Sequence, residues 1–253
     1  MKLHYQRTGQ GHPLVIMHGL FGTLENWGSH IKNLSAKFDV IAVDLRNHGR
    51  SPHTAEMSYP LMAEDIKQLL DDLELNNVHL LGHSMGGKVA MQLALSHSEK
   101  VAKLMVADIA PIEYPAHHEQ VFAGLFHVDL NQLRSRSDAD KQLQAFIPEA
   151  GIRAFLLKNL YRNKEGQFAW RMNLSALRDQ YHEIASAPQG PQFNGPTRFI
   201  KGGLSNYIKS EHTDAVKALF PQADLRVIAD AGHWLHAEKP ALFLRQVEQF
   251  FKD

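Results

Sequence analysis

The chain has 253 residues with 27 basic and 27 acidic side chains, a formal net charge of zero and no cysteine. Neutrality leaves no electrostatic footprint for nucleic acid or an anionic membrane. The missing thiols exclude disulfides, thiolate catalysis and zinc–sulfur centres. A hydrophobic share of 44% supports a sizeable core in one α/β domain, or in a core with an insertion.

The first residues, Met1-Lys2-Leu3-His4-Tyr5-Gln6-Arg7, carry no apolar run of signal-peptide length. No segment approaches the ~18 apolar residues of a membrane span. The expectation is a soluble, unexported, cytoplasmic protein that binds neither membrane nor nucleic acid. Sixteen histidines raise the question of metal, notably His117-His118 and the His233/His236 pair. His-Glu-x-x-His is absent and the nearby carboxylates lack metalloprotease spacing, so no metal is expected.

In chain order, an apolar run at 14–17 precedes a helical pattern near 24–38. A run at 40–43 precedes a helix at 59–73, and one at 78–81 precedes a helix at 85–96. A run at 104–107 follows. The alternation then stops: the stretch from Pro111 to about Pro191 offers no convincing strand and reads as helical, through Phe122, Leu125 and Phe126, then Leu143, Phe146 and Ile147, then Ile152, Phe155, Leu156 and Leu160. Beyond it come runs at 198–200 and 225–229 and helical patterns at 206–220 and 241–251. In the last of these, Leu242, Phe243, Val247, Phe250 and Phe251 form an apolar stripe, and Pro240 suits its first turn. Alternating runs and helices predict a mostly parallel sheet with crossover helices. The expected division is a core of residues 1–110 and 191–253 with a helical cap at 111–190. Ligands in such sheets bind at the strand C-termini, where this insertion leaves.

The run at 78–81 leads into Gly82-His83-Ser84-Met85-Gly86, a G-x-S-x-G pentapeptide. A sharp strand-to-helix turn exposes a serine and tolerates only small residues two positions to either side. Val89, Ala90, Leu93, Ala94 and Leu95 then recur at helical spacing, and the helix points its positive end at Ser84. Ser84 is thus the candidate nucleophile. It requires a base. His233, in Asp230-Ala231-Gly232-His233-Trp234 after the run at 225–229, is the candidate, with His236 the alternative. Met85, the residue after the nucleophile, offers a backbone N–H to an oxyanion.

The pentapeptide, the His18-Gly19-Leu20-Phe21-Gly22 loop, residues Asp44-Leu45-Arg46-Asn47-His48-Gly49-Arg50-Ser51 and Gly232-His233 together resemble the α/β-hydrolase superfamily. Asp108-Ile109-Ala110-Pro111, Gly87-Lys88 and His236-Ala237-Glu238-Lys239-Pro240 narrow the resemblance to small bacterial carboxylesterases of the YbfF type. The resemblance implies an α/β-hydrolase fold and a second oxyanion donor at Leu20, with Phe21 the alternative. In the commonest pattern the acid follows the strand after the cap. The matching turn here, Gly203-Leu204-Ser205-Asn206, ends in an uncharged asparagine. Asp108, at the end of the run at 104–107, takes the role instead and keeps the order Ser, Asp, His. Asp44 is expected on the far side of the sheet and Asp230 on a turn surface, with Arg46, His48 and Ser51 bracing a loop.

The implied activity is cofactor-free hydrolysis of a small-molecule ester of short or medium acyl chain, with an acyl-CoA thioester as an alternative substrate. Other serine branches of the superfamily (carbon–carbon hydrolase, perhydrolase, lactonase) and a small-molecule receptor on the same fold remain open. Phe21 and Trp234 are expected at the substrate pocket, with Met85 and the cap aromatics Phe122, Phe126, Phe155 and Trp170 as further candidates.

Overall fold

The computed structural model describes residues 1–252. Its main sheet has seven strands: β1 (Tyr5–Thr8), β2 (His12–Met17), β3 (Phe38–Val43), β4 (Val78–His83), β5 (Val101–Ala107), β8 (Thr197–Gly202) and β9 (Ala223–Ile228). The order is β1-β3-β2-β4-β5-β8-β9, and only β1 runs antiparallel, with Tyr5 opposite Val43. β3 and β4 are buried along their whole length, as strands covered on both faces by crossover helices must be. The faces are covered by α1 (Gly28–Leu34), α2 (Tyr59–Asp72), α3 (Met85–Ser96), α9 (Thr213–Leu219) and α11 (Pro240–Phe251), while α10 (Leu235–Glu238) follows the turn after β9. One core cluster joins Val15, Ile41, Leu80 and Leu104 to α2 and α3. The other joins Leu14, Ile16, Leu81 and Met105 to Trp27, Phe243 and Phe251. Alternate residues of one strand thus feed opposite layers.

Between β5 and β8 lie α4 (Glu119–His127), α5 (Arg136–Leu143), α6 (Ala150–Leu157), α7 (Leu174–Asp179) and α8 (Tyr181–Ala185). This stretch also holds a hairpin, β6 (Leu160–Arg162) and β7 (Phe168–Trp170), where the sequence reads as helix or loop. The strands are three residues long and only partly buried, too short to show a period. Lys88 of α3 ties this segment to the sheet. Its buried Nζ donates to the Ala185 carbonyl at 2.9 Å and to the Ser186 carbonyl, at the C-terminal end of α8, where a cation meets the negative end of a helix. Among the described residues no helix is long and apolar enough to cross a membrane.

Candidate active site

Ser84 sits between β4 and α3 with φ 53° and ψ −121°, a conformation that few residues adopt without an enforcing surrounding. Here the surrounding is backbone. A Cβ on Gly82 would lie 2.2 Å from the Gly86 carbonyl oxygen, and one on Gly86 would lie 2.5 Å from the carbonyl oxygens of Met17 and His18. Only glycine fits at either place. The Ser84 N–H donates to the Ala107 carbonyl at 3.0 Å, extending the β4–β5 pairing to the turn.

His233 lies on the turn after β9, and its Nε2 is 3.0 Å from Ser84 Oγ. Its Nδ1 is 2.8 Å from Asp108 Oδ2. Asp108 ends β5, is fully buried and has φ 54°. Its other oxygen, Oδ1, accepts the Gly202 N–H at 2.9 Å, and Oδ2 also accepts the Ser205 hydroxyl. The structure therefore brings together the three side chains that the sequence singles out, from the ends of β4 and β5 and the turn after β9. Because β8 lies beside β5, the turn after β8 contributes donors to the carboxylate rather than a carboxylate of its own. Asn206 is exposed.

The remaining candidates separate cleanly. His236 is buried and stacks on Trp27 with ring centroids 4.6 Å apart. Asp44 accepts the N–H groups of Leu24 and Arg50 at the far side of the sheet, and Asp230 is exposed on its turn. Arg46 pairs with Asp65, and Ser51 donates to the Asp44 carbonyl. The Phe21 N–H donates to His48 Nε2 at 3.2 Å. That amide is committed, while Leu20, Ser84 and Met85 line one small cavity.

The histidines beneath this loop are neutral. Burial pushes His18 down to about 4 and His48 down to about 3, the latter helped by the neighbouring His18. A neutral His48 can accept the Phe21 N–H, and neutral His18 accepts the Leu45 N–H at 3.0 Å. Burial likewise takes His83 well below its ordinary value, with His236 and His233 adding to the effect. Its Nε2–H donates to the His233 carbonyl at 2.8 Å. Sequence reasoning missed His83, Ser205 and Tyr207. The Tyr207 ring stacks on the His233 imidazole at 4.0 Å. The one available signal is that Ser205 and Tyr207 flank Asn206, the position where an acid is expected.

A cleft of about 340 Å³ opens over Ser84, lined by Leu20, Phe21, Phe155, Tyr207, His233 and Trp234 among others. Three of the expected aromatic neighbours lie elsewhere. Phe122 is buried behind Phe21, edge to face at 5.3 Å. Phe126 is 42% exposed beneath the Arg178 guanidinium. Trp170 belongs to the β6–β7 hairpin. Helical spacing says which face is apolar but not which neighbour covers it. Met85 borders a smaller cavity that shares Leu20, Ser84 and Tyr207 with this cleft. No cluster of three or more metal-ligating side chains occurs among the described residues.

Residues 12–240 match the family described as alpha/beta hydrolase fold. The chain is 39% identical to "Esterase YbfF" of Escherichia coli K12, covering 98% of this chain and 96% of that protein. It is 41% identical to the mouse "sn-1-specific diacylglycerol lipase ABHD11", over 94% of this chain and 80% of that one. A solved structure described as "Marine microorganism esterase" superposes with a TM-score of 0.97 at 38% identity, covering 99% of both chains. The fold, the strand-end placement of Ser84 and these near full-length similarities establish that the chain belongs to the alpha/beta hydrolase fold family.

Proposed function

We propose that the chain is a serine carboxylesterase that hydrolyses short- to medium-chain acyl esters through an acyl-enzyme. The observation that carries this reading is the continuous run Ser84 Oγ, His233 Nε2, His233 Nδ1, Asp108 Oδ2, at 3.0 and 2.8 Å. The esterase names of its relatives support it. As Oγ attacks the carbonyl, His233 Nε2 takes its proton, and Asp108 fixes the tautomer and stabilises the imidazolium. The Leu20 and Met85 N–H groups meet the oxyanion, aided by the positive end of α3. His233 then hands the proton to the leaving alcohol, and water hydrolyses the acyl-enzyme by the same steps in reverse. Phe21 and Trp234 flank the bound ester. Residues 111–190 act as the cap, since Val121, Ile152 and Phe155 close the cleft from that side. A cysteine-free sequence supports a cytoplasmic setting.

Replacing the nucleophile tests the reading. Ser84→Ala is expected to lower kcat on the order of 10⁶-fold, and near-normal turnover by that variant contradicts it. A thioester carbonyl meets the same groups, so kcat/KM for an oxygen ester and a CoA thioester of one acyl group decides between those substrates.

A further inference from the structure

The space around Ser84 is divided unequally. On the side of His233 and Trp234 lies the cleft of about 340 Å³. Adjoining it lies a smaller cavity of about 30 Å³, walled by Met85, Lys88, Ile109, Tyr114 and Ile184. Leu20, Ser84, His117, His118 and Tyr207 border both spaces, while His233 and Trp234 border only the larger. A carbon bonded to Oγ would therefore sit at the junction.

The chemistry assigns a substituent to each side. The tetrahedral carbon carries Oγ, the oxyanion, the leaving oxygen and the acyl chain. The leaving oxygen must meet His233 Nε2 to receive its proton, which directs the alcohol portion into the larger cleft. The oxyanion is held at Leu20 and Met85. The acyl chain is left with the small cavity. A single water needs about 10–15 Å³ of such space, so the cavity has room for roughly two heavy atoms, a group of about methyl to ethyl size.

The walls of that cavity are fastened. The Tyr59 hydroxyl donates to the Ile184 carbonyl at 2.5 Å. The Tyr114 hydroxyl accepts the Ala110 N–H at 2.9 Å and donates to the Tyr207 carbonyl at 2.5 Å. Lys88 holds the end of α8 from beneath. Lengthening the acyl chain would have to break such contacts or overpack the cavity.

We propose, on the basis of the esterase reading, that this enzyme selects esters whose acyl group is acetyl- or propionyl-sized and whose bulk is an apolar alcohol. In the first half-reaction the Oγ–C bond forms and the bond from carbon to the alcohol oxygen breaks. The Oγ proton leaves with the alcohol by way of His233. In the second half-reaction water adds to the acyl carbon, the C–Oγ bond breaks, and a water proton returns to Oγ through His233.

The test is two ester series on the full chain. With 4-nitrophenol as the constant alcohol, kcat/KM is expected to be highest for acetate and propionate and to fall about 100-fold or more by hexanoate, since one methylene in a filled pocket already costs about 10-fold or more. With acetate as the constant acyl group, kcat/KM is expected to rise from ethyl to butyl to hexyl esters, whose alcohols are leaving groups of nearly equal ability. Ile109→Ala and Ile184→Ala should each raise the hexanoate-to-acetate ratio about 10-fold, and a ratio is insensitive to the amount of folded enzyme. Hexanoate turned over as well as acetate, or a ratio unchanged in both variants, overturns the proposal and leaves the esterase reading standing. No hydrolysis of any ester overturns both.

Discussion

The Ser205 hydroxyl donates to Asp108 Oδ2, the same oxygen that faces His233 Nδ1. The strand turn that usually presents an acid here holds one that comes from the neighbouring strand. A buried carboxylate needs such donors, because each one missing leaves a desolvated charge less satisfied. Ser205→Ala is expected to lower kcat about 10-fold with KM nearly unchanged, and Ser205→Thr to restore most of it. A hydrogen bond to a charged group is worth about 1.5–3 kcal/mol. Steady-state kinetics of the three proteins decide this, and a loss confined to KM contradicts the assignment.

The acid role itself is tested by a pair of changes. Asp108→Asn keeps the shape but favours the wrong imidazole tautomer, and kcat should fall about 10⁴-fold. Asn206 is exposed and off the hydrogen-bonded run, so Asn206→Ala should change kcat less than about 2-fold, a surface effect. The reverse ranking would move the acid role away from Asp108.

Buried neutral histidines make stability depend on pH. Burial takes His18 down to about 4 and His48 and His236 down to about 3, while in the unfolded chain they protonate near 6.5. Above that pH neither state binds the proton and their contribution is complete. As pH falls from about 6.5 toward 4 and then 3, the unfolded state gains protons that the folded state refuses, and stability drops. Each such histidine contributes a slope of about 1.4 kcal/mol per pH unit within its window. Urea midpoints measured at pH 7.5, 6.5, 5.5 and 4.5 should fall below pH 6.5. A midpoint constant from 6.5 to 5 contradicts the neutral cluster.

Lys88 should hold the end of α8 in place. Burial lowers its pKa to about 7, with Glu113 opposing the shift, and its Nζ donates to the carbonyls of Ala185 and Ser186. Lys88→Met leaves those acceptors without their donor, at a cost of about 1–3 kcal/mol. Amide hydrogen exchange of residues 181–186 is expected to accelerate selectively. Unchanged protection there would show that the contact is idle.

Much of this was legible in sequence because buried parallel strands are written as continuous apolar runs. The runs at 40–43 and 78–81 fall inside β3 and β4, and the helix at 85–96 coincides with α3. What escaped notice lacked that signature. β1 is an edge strand of sequence Tyr-Gln-Arg-Thr with no apolar run, and the β6–β7 hairpin is too short for a period. The helix expected at 24–38 is a 3-10 turn at Leu24–Trp27 followed by α1, which ends at Leu34. At the site, Ser84 and His233 stand in local motifs, and Asp108 stands at a strand end. Ser205 and Tyr207 act through partners about a hundred and 26 residues away respectively, and no local pattern records such contacts. Phe122 and Phe126 lie four residues apart on α4, yet one packs inward and the other meets Arg178.

The esterase reading requires that Ser84 Oγ form the covalent intermediate. Treating the full chain with an alkyl fluorophosphonate and mapping the adduct by peptide mass spectrometry tests it most directly. One adduct is expected, on Ser84, with loss of esterase activity in proportion to labelling and no adduct in Ser84→Ala. Labelling of another residue with activity lost in step, or full turnover by an enzyme already modified at Ser84, would contradict it.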